Sequence, residues 1–129
     1  MIDIIVLNRN LRLHDNAALF YGSLRSNYIV IYLYDKKYWE GNGKSSRQLK
    51  FATDCLNELD QDLKKINSEI NIFEGSFEML KIWIKENFSD YRIHMNHCTD
   101  IGYFRTGFEN FKNYFGKRLR VYDDFGLQL

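Results

Sequence analysis

Ile2-Asp3-Ile4-Ile5-Val6-Leu7-Asn8-Arg9-Asn10-Leu11-Arg12-Leu13-His14-Asp15-Asn16-Ala17-Ala18-Leu19 runs an apolar segment straight into a helical pattern, through a loop that carries two arginines. A first strand that feeds a first helix in this way predicts an open α/β domain. Dinucleotide-binding and P-loop proteins place glycines in this loop so that the backbone can approach phosphate. Here there are none. The loop offers Arg9 and Arg12 instead, whose planar guanidinium groups suit carboxylate, phosphate or a flat conjugated ring. Asp15 and Asn16 are accounted for as helix N-cap residues.

Outward from this stretch, apolar and β-branched runs alternate with amphipathic patterns, the signature of βαβ units and a parallel sheet. Strands are expected at residues 3–7, 28–34, 70–73, 92–96 and 119–122, and helices at 17–25, 44–65, 77–87 and 104–115. In the second helix Leu49, Ala52, Leu56, Leu59, Leu63 and Ile66 recur at three- and four-residue steps. Ser76 is placed to cap the third helix and Gly116 to end the fourth. Right-handed crossovers then give a Rossmann-like, doubly wound five-stranded parallel sheet of order 3-2-1-4-5, with helices on both faces. In such sheets ligands bind outside the carboxyl ends of the strands at the switch point, here between the first and fourth strands. Arg9, Leu33, Tyr34, Asp35, His97 and Asp100 would line that crevice.

The 129 residues suit one domain, expected to occupy positions 1–129. With 18 basic and 17 acidic side chains the formal charge is +1, which excludes strong electrostatic capture by nucleic acid or anionic membrane. No apolar run approaches the roughly 20 residues that span a bilayer, and Met1-Ile2-Asp3-Ile4 lacks a signal-peptide n-region. A cytoplasmic protein with no membrane partner is expected. Cys55 and Cys98 have neither CxxC nor metal-ligand spacing, so reduced, unpaired thiols and no metal site are expected.

The remaining candidates divide between chemistry and packing. Asp35 ends the second strand, where acidic residues of nucleotide-binding folds meet hydroxylated ligands. His97, Cys98 and Asp100 cluster after the fourth strand, but no oxyanion donor or orienting group accompanies them, so no nucleophilic catalyst is assigned. His94 alternates with Ile93 and Met95 within a strand, as a buried, hydrogen-bonded histidine does. Phe104, Phe108, Phe111 and Phe115 keep one face of the last helix, a core stripe before it is a cofactor box. Aromatic residues make up 16 % of the chain, and Tyr38, Trp39, Tyr103 and Tyr114 cannot all be internal.

These residues resemble the N-terminal α/β domain of the DNA photolyase and cryptochrome family. That family opens with an apolar strand followed by Phe/Trp-Arg-x-Asp-Leu-Arg-Leu-x-Asp-Asn-Pro-Ala-Leu, a pattern matched by Leu7 through Leu19. Ile31-Tyr32-Leu33-Tyr34-Asp35 is similar to its "YIYDP" strand end, and Ser46-Arg47-Gln48-Leu49-Lys50-Phe51 to its "SRRRFLLESLADLD" helix. Phe73-Glu74-Gly75 resembles its "REGD" region, Met95-Asn96-His97 begins its fourth-strand loop, and Tyr122-Asp123-Asp124-Phe125-Gly126-Leu127 resembles the entry to its interdomain linker. Departures fall at Ala17 and Lys36, where the family has proline, and at Cys98, where it has an acidic residue. The usual Arg-Asp opening of the last helix is not recognisable around 105–109.

The resemblance implies an antenna-type domain that holds a deazaflavin, flavin, lumazine or folate and passes excitation to FAD in a helical domain. A light-driven DNA-repair lyase needs both parts, so no catalytic residue is expected within this chain. A helical FAD-binding domain or subunit would be the partner, with DNA engaged only indirectly. Two other readings stay open at this point. A stand-alone nucleotide-binding α/β protein would hold ATP or AMP in the same crevice, although the Asn8 to Asn16 loop and the Asn96 to Gly102 segment supply at most one glycine for its phosphate cradle. A docking module would use its exposed aromatics to meet a separate helical subunit.

Overall fold

The computed structural model describes residues 1–8, 16–37, 46–65, 68–97 and 103–123, with side chains at all of these except 46–49, 51–52 and 103–104. The chain runs β1 (Ile2–Leu7), α1 (Ala17–Gly22), β2 (Tyr28–Tyr34), α2 (Ser46–Lys64), β3 (Ile70–Glu74), α3 (Phe77–Asn87), β4 (Tyr91–Asn96), α4 (Tyr103–Phe115), a 3₁₀ turn (Gly116–Arg118) and β5 (Leu119–Tyr122). The five strands form one parallel sheet in the order β3-β2-β1-β4-β5, as the alternation of patterns predicts. β1 lies at the centre, with Ile5 opposite both Val30 of β2 and His94 of β4.

Because successive strand side chains point to opposite faces, β1 divides its apolar residues between two cores. Ile4 and Val6 join Ile31, Leu33, Ile93, Met95 and Val121 beneath α3 and α4. Ile5 and Leu7 join Val30, Tyr32 and Tyr122 beneath α1 and α2. The predicted stripes face these cores: Leu56, Leu59 and Leu63 of α2 are buried, as are Phe108, Phe111 and Phe115 of α4. Leu49, Ala52, Ile66 and Phe104 lie outside the residues whose side chains are described.

Helix ends follow from side-chain chemistry. Ser76 Oγ accepts the Met79 amide and starts α3. Gly116 has φ +55°, a left-handed conformation that glycine adopts without a Cβ penalty, and it closes α4. The helix expected over 17–25 is shorter than its pattern suggests and stops at Gly22. Ser23 Oγ donates to the Phe20 carbonyl, and Asp3 N–H takes the Asn27 carbonyl into the sheet. The chain must therefore leave the helix early to enter β2 in register. Gly22 also allows α1 to lie close on the sheet, because a Cβ there would sit 2.4 Å from Ile5 Cγ1.

Candidate functional site

Strands β1, β2 and β4 all end at the same rim of the sheet, at Asn8, Asp35 and His97. Two asparagines organise this rim. Asn16 caps α1 by accepting the Leu19 amide at 3.1 Å. Asn96, the last residue of β4, donates from Nδ2 to Asn16 Oδ1 at 2.8 Å and accepts the Ala18 amide on its own Oδ1 at 3.0 Å. The start of α1 is thereby fastened to the end of β4 across the switch point. The sequence identifies Asn16 as a cap, but its pairing with a residue 80 positions away has no local signal.

Of the predicted lining, Tyr34 is half-buried and Asp35 is only 5 % exposed at the end of β2. The Tyr34 carbonyl accepts the Gly75 amide at 2.9 Å, which brings the start of α3 alongside. Leu33 is 2 % exposed and packs into the core beneath α3 and α4, so it supports the rim from below. His97 has an exposed side chain, its ring edge-on to Phe108 at 6.4 Å, and its backbone N–H donates to the Tyr122 carbonyl at 2.8 Å. Arg9, Arg12, Asp15, Cys98, Asp100, Tyr38 and Trp39 lie outside the described residues.

Asn8 was not among the predicted residues. Its Nδ2 is buried and has no hydrogen-bond partner. A buried amide donor left unpaired costs about 1 to 3 kcal/mol, and this one stands at the carboxyl end of β1, on the rim where β2 and β4 also end. Among the described residues no group of three or more His, Cys, Asp or Glu is placed to hold a metal ion. No helix there is long and apolar enough to cross a membrane.

A second polar group lies under α1. His94 is 3 % exposed, with Nε2 2.8 Å from Asp3 Oδ1 and Nδ1 2.8 Å from the Tyr122 hydroxyl. Arg25 donates to both Asp3 oxygens, at 3.1 and 3.3 Å. Burial alone would raise the Asp3 carboxyl, but hydrogen bonds and charge from His94 and Arg25 outweigh it and hold the group below its ordinary value. Burial pushes His94 below the usual histidine value, against the pull of Asp3. The expected buried, hydrogen-bonded histidine is thus present. Its partners, drawn from the start of β1 and the end of β5, could not be read locally.

The DNA photolyase family model matches residues 4–98. The chain belongs to that family. It is 33 % identical over 82 residues to the (6-4) DNA photolyase of Arabidopsis thaliana, a match that covers 56 % of this chain and 15 % of that photolyase. The archaeal photolyase of Sulfolobus tokodaii, solved with two FAD molecules, superimposes with a TM-score of 0.74 at 25 % identity, over 95 % of this chain and 29 % of the other. A bacterial class III photolyase from Agrobacterium tumefaciens shares the fold at a TM-score of 0.64 and 19 % identity, over 94 % and 25 % of the two chains. The chain therefore spans less than a third of the length of these photolyases.

Proposed function

We propose that this chain serves as the antenna-type α/β domain of a photolyase, holding a flat conjugated chromophore at the carboxyl ends of β1, β2 and β4. It would work beside a helical FAD-binding domain or subunit and would carry out no bond chemistry alone. The observation that supports this most directly is the buried, unpaired Asn8 amide at the carboxyl end of β1, in a chain of the photolyase family. An isoalloxazine, deazaflavin, lumazine or pterin ring system presents carbonyl oxygens and ring nitrogens that such a donor fits. Tyr34 would pack against the ring, and Asp35 would accept from a hydroxylated or amino substituent. His97 and Asp100 would form the far wall, with Arg9 as a charged or stacking contact. The chromophore itself would supply light absorption and excitation transfer.

Titration with riboflavin, FMN, a deazaflavin and a reduced folate, followed by absorbance and fluorescence, tests this reading. One of them is expected to bind, and Asp35→Ala and Arg9→Ala are each expected to weaken it by about 1 to 3 kcal/mol through lost charge-assisted hydrogen bonds. Binding indifferent to both changes would move the site elsewhere, and absence of binding by all four would refute the antenna role for the isolated chain.

A further inference from the structure

Asp3, Arg25, His94 and Tyr122 form a hydrogen-bonded chain that the crevice does not use, and α1 is its cover. A carboxylate only accepts, and Arg25 holds Asp3 as one from two nitrogens. The His94 nitrogen facing Asp3, Nε2, must then carry a hydrogen. In a neutral imidazole the lone pair is left on Nδ1, so the Tyr122 hydroxyl donates to it. Gly22, the last residue of α1, lies on the imidazole, since a Cβ there would sit 3.2 Å from His94 Cγ. Tyr21 of α1 covers the Tyr122 ring, with centroids 5.0 Å apart and planes 14° apart.

This cover has little apolar area to hold it down. Of its six residues α1 buries Ala18, Leu19 and Gly22, whereas α3 sets Phe77, Leu80 and Ile84 into a continuous apolar cluster. Alternate strand residues share a face, so β4 and β5 present Arg92, His94, Asn96, Arg120 and Tyr122 on the side where α1 lies. Polar contacts hold both ends of the helix: Asn96 grips its start, and Arg25 on Asp3 holds its exit. An element with few buried apolar groups opens at a fraction of the global unfolding free energy.

The surroundings of His94 favour a neutral ring. It is 3 % exposed while α1 is seated. Arg25 stands at the exit of α1, Arg92 two residues before His94 on the same face of β4, and Arg120 opposite it in the β4–β5 ladder. Against these three cations stands Asp3, whose oxygens Arg25 already engages, and α1 itself carries no charged side chain. We propose that α1 is a proton-released latch: a proton taken up from solvent at His94 Nδ1 lifts α1 from β4 and β5, frees Arg25 from Asp3 and undoes the Asn16–Asn96 bracket, while the sheet stays paired. The new Nδ1–H displaces the Tyr122 hydroxyl as donor, and water reaches the imidazolium only when Gly22 leaves it. Covered by α1, His94 titrates below its ordinary value of 6.5; uncovered, it returns towards that value. The open form therefore gains population as pH falls below 6.5, by up to about tenfold per pH unit. This inference is independent of the antenna reading, because no ligand takes part.

The test is amide hydrogen exchange of the full chain between about pH 7.5 and 5, corrected for intrinsic rates, with and without urea below the unfolding transition. The Phe20 and Ser23 amides, bonded to the Asn16 and Leu19 carbonyls, are expected to lose protection by up to about tenfold per pH unit below 6.5, at rates that low urea leaves unchanged. The Leu80 amide of α3, bonded to the Ser76 carbonyl, is expected to exchange more slowly and to respond to urea. His94→Gln, which can still donate to Asp3 and accept from Tyr122, is expected to abolish the pH dependence at Phe20 and Ser23. Arg120→Gln is expected to shrink that dependence by removing a cation, and Arg120→Lys to preserve it. Protection at Phe20 and Ser23 that ignores pH in the unmutated protein would overturn the proposal without recourse to any variant. So would a urea response shared by these amides and Leu80, or a pH dependence that persists in His94→Gln.

Discussion

The two faces of the sheet are built from the same strands and solve different problems. Beneath α3 and α4 the interior is apolar and aromatic: Phe77 meets Phe108 and Phe111 at 6.2 and 5.2 Å, and Phe111 meets Phe115 at 4.8 Å. Beneath α1 and α2 an apolar layer adjoins Asp3, His94 and Asn16, all buried. Apolar burial is non-directional and stabilises in proportion to area. Buried polar groups contribute little net stability, but they tolerate few arrangements, because a lost partner leaves a desolvated group behind. Both faces therefore contribute apolar burial, and the polar groups of the second also fix how α1, β1, β4 and β5 meet.

This contrast is open to direct attack. Phe108→Ala is expected to cost about 3 to 5 kcal/mol through a cavity in the aromatic face, and Leu59→Ala about 2 to 5 kcal/mol beneath α2, both read from urea midpoints at unchanged slope. Equal, negligible losses would mean that neither helix is seated as described. Gly22→Ala is expected to cost about 1 to 3 kcal/mol, since the added methyl meets Ile5 and must lift α1. Capping offers a smaller comparison between the faces. Asn16→Ala should cost about 1 to 2 kcal/mol, and Ser76→Ala about 0.5 to 1 kcal/mol, because only Asn16 also serves a second side chain; reversed values would count against the Asn96 bracket.

Acid provides the subtlest probe. His94 and Asp3 both have native values below their ordinary ones of 6.5 and 3.8. The unfolded chain then binds protons that the native chain refuses, so stability rises with pH wherever these groups differ. The His94 contribution is complete above pH 6.5 and declines as pH falls from there towards its native value; that of Asp3 declines below 3.8. Stability measured from pH 8 to 3 should fall in two steps in the unmutated protein. Asp3→Asn should shrink the lower step to the part left by Asp60, whose carboxyl is held below its ordinary value by the Ile70 amide and Lys64, whereas Phe108→Ala should lower the whole curve in parallel. A single common step in all three would show that the polar chain does not titrate as a unit of that face.

The apolar architecture was legible because it repeats. Strand runs, the α2 stripe and the phenylalanine stripe of α4 are periodic signals, and Ser76 and Gly116 mark helix ends by local chemistry. What the sequence hid is what depends on distant partners. Asn96 is legible as the start of the fourth-strand loop but not as the partner of Asn16, and nothing near Asp3 in sequence announces Arg25 and His94. The early stop of α1 belongs to the same class, since Asn27 leaves for the sheet. Asp35 was legible by position, whereas Asn8 becomes visible only once its amide is seen to lack an acceptor.

The central place of β1 also bears on how the molecule is made. Asp3 and His94 are 91 residues apart in sequence, so a chain emerging from a ribosome holds its first strand ready long before the fourth exists. Until then β1 can pair only with β2, and its opposite edge is open. Such long-range parallel pairing is slow to form and leaves apolar edges exposed meanwhile. Slow translation should therefore extend the interval in which the nascent chain relies on chaperones, and the arrival of Tyr91–Asn96 should end it.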